Sequence, residues 1–144
     1  MQNYSFKIRL RIWHPTINPD AITNALGIKP NRSWQKGNKR TTPKGTSLSG
    51  RYRESYWNAD PFNYGEYQST DELAIDVIVS VLDILKAHKS FLKKLHKDGA
   101  RIVLQVSSFS HRNYAIEIPP KIMQNLSELK ISFAHDIYPY MQSS

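Results

Sequence analysis

The chain has no cysteine. This excludes disulfides, thiolate metal sites and cysteine nucleophiles, and it fits a reducing compartment, so the cytoplasm is the expected location. Long apolar runs are missing too. The most apolar stretch, Leu73 to Leu85, is interrupted by Asp76, Ser80 and Asp83 and falls short of the roughly 20 residues that a membrane-spanning helix needs. No membrane association is expected. The beginning, "MQNYSFKIRLRIW", carries charges where a signal peptide would need an unbroken apolar core, and reads as a strand. Neither a Gly-x-Ser-x-Gly elbow nor a Walker phosphate loop occurs, which removes two common enzyme frameworks. His14, His88, His96, His111 and His135 lack the two- or four-residue spacings of familiar metal motifs. Neither a metal nor any other cofactor is expected.

Acid is missing from one segment in particular. Residues 31–53, "NRSWQKGNKRTTPKGTSLSGRYR", hold Arg32, Lys36, Lys39, Arg40, Lys44, Arg51 and Arg53 and no Asp or Glu. The chain has 20 Lys+Arg and 12 Asp+Glu, so outside this segment the balance is 13 to 12. Nearly all of the +8 net charge is therefore concentrated there.

What is present is a globular composition. With 144 residues, 40% of them hydrophobic and 22% charged, one domain spanning 1–144 with a single core is expected. Tyr4, Phe6, Ile8, Leu10 and Ile12 alternate with Ser5, Lys7, Arg9, Arg11 and Trp13, the period of a strand with one buried and one wet face. Asn18 as N-cap, Pro19 at the first helical position, Ile22 and Leu26 on one face and Gly27 at the C-terminal stop predict a short helix. Arg32 to Gln35 suits a brief strand, "GNKRTTPKGTSLSG" a loop, and "RYRESYW" another strand.

Ser69 with Glu72 has the capping-box pattern. It precedes a long helix carrying Ile78, Val81, Leu82, Leu85, Leu92 and Leu95, bent near "KAHKS" and stopping at Gly99. Ile102, Leu104 and Val106, then Tyr114, Ile116 and Ile118, predict a hairpin. Pro119 and Pro120 open a last helix with Ile122, Leu126 and Leu129 inward, and Ile131, Phe133 and Ile137 form a closing strand. The order βαββαββαβ favours an α+β fold, a mainly antiparallel sheet with three helices packed on one face.

The segment "NPDAITNALGIKPNRSWQKG", the long central helix and the closing "HDIY" together resemble the bacterial domain of unknown function 4279 family, over Phe6 to Tyr138. The most specific part of the likeness is the Asp20, Ile22, Leu26, Gly27, Ile28, Pro30 spacing, followed by Arg32 and Lys36-Gly37. Residues 38–49 are richer in Lys, Thr and Ser than the family pattern and read as a local elaboration. The resemblance transfers no activity or catalytic residue. What it implies is a toxin-neutralising role, since small domains of this kind look like products of toxin and immunity loci.

The basic segment has three readings, a docking surface for a protein, a grip for nucleic acid or a solvated loop, and a separate reading concerns catalysis by histidines. Trp34 precedes its densest part, and Tyr52, Tyr56 and Trp57 follow it. A long basic loop between aromatic anchors suits an acidic protein partner, steered by charge and held by buried Trp, Tyr and Arg. The same mixture suits single-stranded nucleic acid, with phosphates on the cations and bases stacked on the rings. The catalytic reading pairs His14 with His135 as acid and base for RNA cleavage. The expected function is partner binding without catalysis, of the immunity type, through Arg32, Trp34, Lys36, Lys39, Arg40, Lys44, Arg51, Arg53 and Trp57. The acidic partner implied by the resemblance is a toxin domain, and nucleic acid is the alternative ligand.

Overall fold

The structure, a computed structural model, describes residues 3–139, so the outermost residues of the expected 1–144 domain, 1–2 and 140–144, lie outside the described residues. Strand β1 (Ser5–His14) is central. One of its edges carries β7 (Arg101–Ser110) antiparallel along nearly its full length, from Ser5↔Phe109 to Trp13↔Arg101. Its other edge carries two shorter strands end to end. Strand β5 (Ser55–Ala59) pairs with Leu10 to His14, and β6 (Tyr67–Gln68) pairs with Ser5 and Phe6. Outside β5 lies β2 (Arg32–Trp34), and outside β7 lies β8 (Ile131–Pro139), which is parallel to it. The sheet order is β2-β5-β1-β7-β8, and a separate two-stranded sheet joins β3 (Lys39–Thr41) to β4 (Ser47–Arg51).

All helices lie on one face. Helix α1 (Pro19–Leu26) has the expected caps: Asn18 accepts from the Asp20 amide at 3.0 Å, and Gly27 takes a left-handed φ of 68°. The long helix is bent where expected. Helix α2 (Ala74–Leu85) passes through a 3-10 turn (Lys86–His88) into α3 (Lys89–Lys97), and α4 (Pro120–Glu128) crosses back to the start of β8. The alternating Tyr4, Phe6, Ile8, Leu10 and Ile12 meet Ile22, Val81, Leu85, Leu92 and Leu126 in one core. Burying such a side chain contributes about 1.5–3 kcal/mol, so the β1 row alone is a large share of what holds the helices to the sheet. The class is therefore α+β with a mainly antiparallel sheet.

Four local expectations are corrected. The predicted hairpin of 102–106 with 114–118 does not form. Both edges of β7 are already occupied, by β1 and β8, so no ladder is left for a third strand. Tyr114 instead stacks on Tyr4 with centroids 4.7 Å apart, and Ile116 and Ile118 pack against the core. The Ser69–Glu72 box does not cap α2. Its Ala74 amide donates to the Tyr4 hydroxyl at 3.1 Å, while Ser69 Oγ accepts from the Tyr4 amide.

The expected loop at 37–50 contains a β-hairpin. Thr42-Pro43-Lys44-Gly45 makes a tight turn closed by Gly45 N to Thr42 O at 2.9 Å, with Thr42 N to Thr46 O behind it and Gly45 at φ 88°. Proline at the second turn position and a left-handed glycine closing a three-residue loop are what a hairpin needs. Finally, the strand expected in "RYRESYW" begins only at Ser55.

Candidate functional site

The face of the sheet opposite the helices is built from the alternate residues of the same strands. From β1 it receives Lys7, Arg9, Arg11 and Trp13, from β7 Arg101, Gln105 and Ser107, from β5 Tyr56 and Asn58, and from β2 Arg32 and Trp34. The helix-facing residues are sealed, whereas Arg9, Arg11, Trp13, Arg32 and Trp34 are half-buried and Lys7 and Arg101 are exposed. A helix-free face can remain in water because the antiparallel ladder satisfies its backbone internally.

On this face cations and rings interleave. Arg11 lies over Trp13 at 4.6 Å and near Tyr56 at 5.4 Å, Arg101 lies over Trp13 at 4.7 Å, and Arg32 lies over Trp34 at 4.9 Å. The rings continue from one strand to the next: Tyr52 stacks on Trp34 at 4.0 Å, Trp34 meets Tyr56 at 4.6 Å, and Tyr56 meets Trp13 at 5.2 Å. Hydrogen bonds fix two of these guanidinium groups. Arg11 donates to Tyr56 Oη at 2.8 Å and to Gln105 Oε1 at 2.7 Å, and Arg32 donates to Thr41 O at 2.7 Å. Each cation–π contact is worth about 0.5–1 kcal/mol at exposed sites. The guanidinium groups are thus held in place before any partner arrives.

Arg32 also ties the hairpin to this face. Its carbonyl partner Thr41 belongs to β3, and Thr41 N and O both bond to the Tyr52 hydroxyl, at 3.2 and 3.0 Å. Burial alone would raise the Tyr52 phenol. The bonds with Thr41 and the nearby Arg32 charge outweigh burial and bring it below its ordinary value. The basic segment is consequently an extension of the sheet surface, anchored through β2.

The structure places the sequence-derived site residues unequally. Arg32 and Trp34 lie on the open face. Lys36 lies in the exposed turn after β2, Lys39 and Arg40 on β3, Lys44 in the hairpin turn, Arg51 at the end of β4 and Arg53 just beyond it, all exposed. Trp57 is a correction. It opposes Ile12 in register, faces the helices at 0% exposure and donates from Nε1 to Thr23 Oγ1 at 3.0 Å. It is a core residue, not part of the exposed surface to which it was assigned. The sequence reading missed Arg11, Trp13 and Arg101, although the row Lys7, Arg9, Arg11, Trp13 was visible as the wet side of the first strand.

The proposed pairing of His14 with His135 is also corrected. His135 shares a rung with Val106 and Ile8, six residues along β1 from His14 and so about 20 Å away along the strand direction. The two cannot serve one scissile phosphate. His14 Nδ1 accepts from the Thr16 and Ile17 amides at 3.0 and 2.9 Å, which leaves Nε2 to face Asp98 at 3.5 Å. His135 Nε2 lies 2.8 Å from Ser108 Oγ, and burial pushes its imidazole below the usual value. Among the described residues no group of three or more His, Asp or Glu could hold a metal ion, and no helix is long and apolar enough to cross a membrane.

The model of the family described as domain of unknown function (DUF4279) matches residues 4–140. The chain belongs to that family. No curated protein and no solved structure matches it.

Proposed function

We propose that this member of the DUF4279 family is a non-catalytic binding protein that takes an acidic protein partner on the helix-free face of its sheet and the adjoining hairpin. The observation that supports this reading is how the cations are held. Arg11, Arg32 and Arg101 rest on Trp13 and Trp34, and Arg11 and Arg32 are further fixed by hydrogen bonds. Preorganised guanidinium forks suit carboxylates, and Trp, Tyr and Arg are the residue types that dominate interface energies. Single-stranded nucleic acid is the second reading. It is less favoured because bases need free ring faces, whereas Trp13 and Trp34 already have arginine and tyrosine against them.

Toxin neutralisation is the form in which we propose this binding, because an acidic toxin domain would complement the +8 chain. The test is co-purification with the tagged chain from its native host. A stoichiometric acidic protein in a nucleic-acid-free eluate is the expected result. Nuclease-sensitive RNA without a protein companion, with affinity falling steeply as salt rises, would replace this reading with the second.

A further inference from the structure

The hairpin holds a cavity of about 440 Å³ lined by Arg40, Gly50, Arg51, Tyr52 and Arg53. The lining residues include three arginines and no Asp or Glu. Arg40 donates to Ser49 O at 3.1 Å and Arg51 donates to Gly37 O at 2.8 Å, so each is braced by a backbone carbonyl with other N–H groups left over. Gly50 lies in β4 beside Arg40. At φ 84° it sits where side chains are rarely tolerated, and a Cβ there would stand 3.9 Å from Arg40 Cδ.

Three arginines thus line one cavity with no acidic residue among them to offset their charge. The geometry points to a binding site for a small molecule carrying a phosphate monoester or pyrophosphate group. A phosphate monoester brings a charge of about −1.5 to −2 and three acceptor oxygens on one centre. It therefore offsets three guanidinium groups better than a single carboxylate does, and Arg forks match it in bidentate fashion. Tyr52 closes one side of the cavity, its ring kept in place by the stack on Trp34. The cavity lies in the hairpin that adjoins the proposed partner surface, but it is probed with a small anion and at Arg53, whereas the sheet face is probed by partner capture and at Arg11 and Arg101, so either can fail alone.

Inorganic pyrophosphate is the probe, titrated calorimetrically into the full chain at low salt, with citrate at matched charge and ionic strength as comparator. Saturable 1:1 binding is expected, stronger for pyrophosphate than for citrate. Arg53→Ala removes a side chain that makes no hydrogen bond among those described, and should weaken binding about tenfold without changing the fold. Arg53→Lys should recover only part of the loss, because an ammonium lacks the fork. Lys44→Ala, on the same hairpin outside the cavity, should leave the affinity within about twofold. No saturable heat, equal binding of citrate, or equal losses in the Arg53→Ala and Lys44→Ala proteins would each overturn the proposal.

Discussion

The two faces of β1 are made by neighbouring residues and have opposite characters. Toward the helices Phe6, Ile8, Leu10 and Ile12 have no exposed area, while on the other side Lys7, Arg9, Arg11 and Trp13 hold charge and aromatic surface at the boundary with water. The contrast repeats one strand away, where Trp57 is in the core and Tyr56 beside it lies under Arg11. A side-chain period of two lets the same strand hold the fold with one face and offer the other, charged and aromatic, as the proposed binding surface. Substitutions on the first face should act on stability, and those on the second on partner capture.

The largest stability effect is expected at Trp57. Trp57→Ala removes a fully buried ring and its bond to Thr23, and should cost about 3–5 kcal/mol in chemical denaturation. Trp13→Ala, across the sheet, removes a half-buried ring with Arg11 and Arg101 against it and should cost only about 1–2 kcal/mol. If both cost the same, the distinction between the faces fails.

A smaller effect, on the buried face, depends on pH. Burial, reinforced by the charges of Asp60 and Glu72 and by Tyr64, pushes the Tyr67 phenol from 10.0 up to about 12. The folded state thus favours the neutral form. The stabilisation this gives is complete below pH 10 and is lost as pH rises toward 12. Tyr67→Phe keeps the ring that stacks on Phe6 at 5.0 Å, so it should flatten this alkaline decline in thermal melts while changing stability little at pH 7.

Which parts of the architecture could be read from sequence follows from how local each signal is. The alternation from Tyr4 to Trp13 and the Asn18, Pro19 and Gly27 caps are local, and the structure reproduces them. Residues 37–50 were misread because Gly, Thr and Pro count as breakers in bulk, whereas Thr42-Pro43-Lys44-Gly45 is a specific hairpin turn. The strand expected at 114–118 failed for a non-local reason: alternation reports one buried side, not an available edge. The α2 cap came from Tyr4, 70 residues away in sequence, which no capping pattern can anticipate.

The site divided in the same way. The charge of residues 31–53 was plain in the composition, yet the rings and arginines that adjoin it come from β1, β5 and β7 and meet only through strand register. Trp57 was assigned to the partner surface because the parity of "RYRESYW" shows that Tyr56 and Trp57 face opposite ways without showing which way the helices lie.

Charge reversal at the centre of the open face tests the partner surface most directly. Arg11→Glu with Arg101→Glu should reduce capture of an acidic partner at least tenfold, a loss of about 1.4 kcal/mol or more in binding, while the protein keeps its circular-dichroism spectrum and cooperative melt. Undiminished capture by this folded double variant would contradict the assignment of the helix-free face as the binding surface.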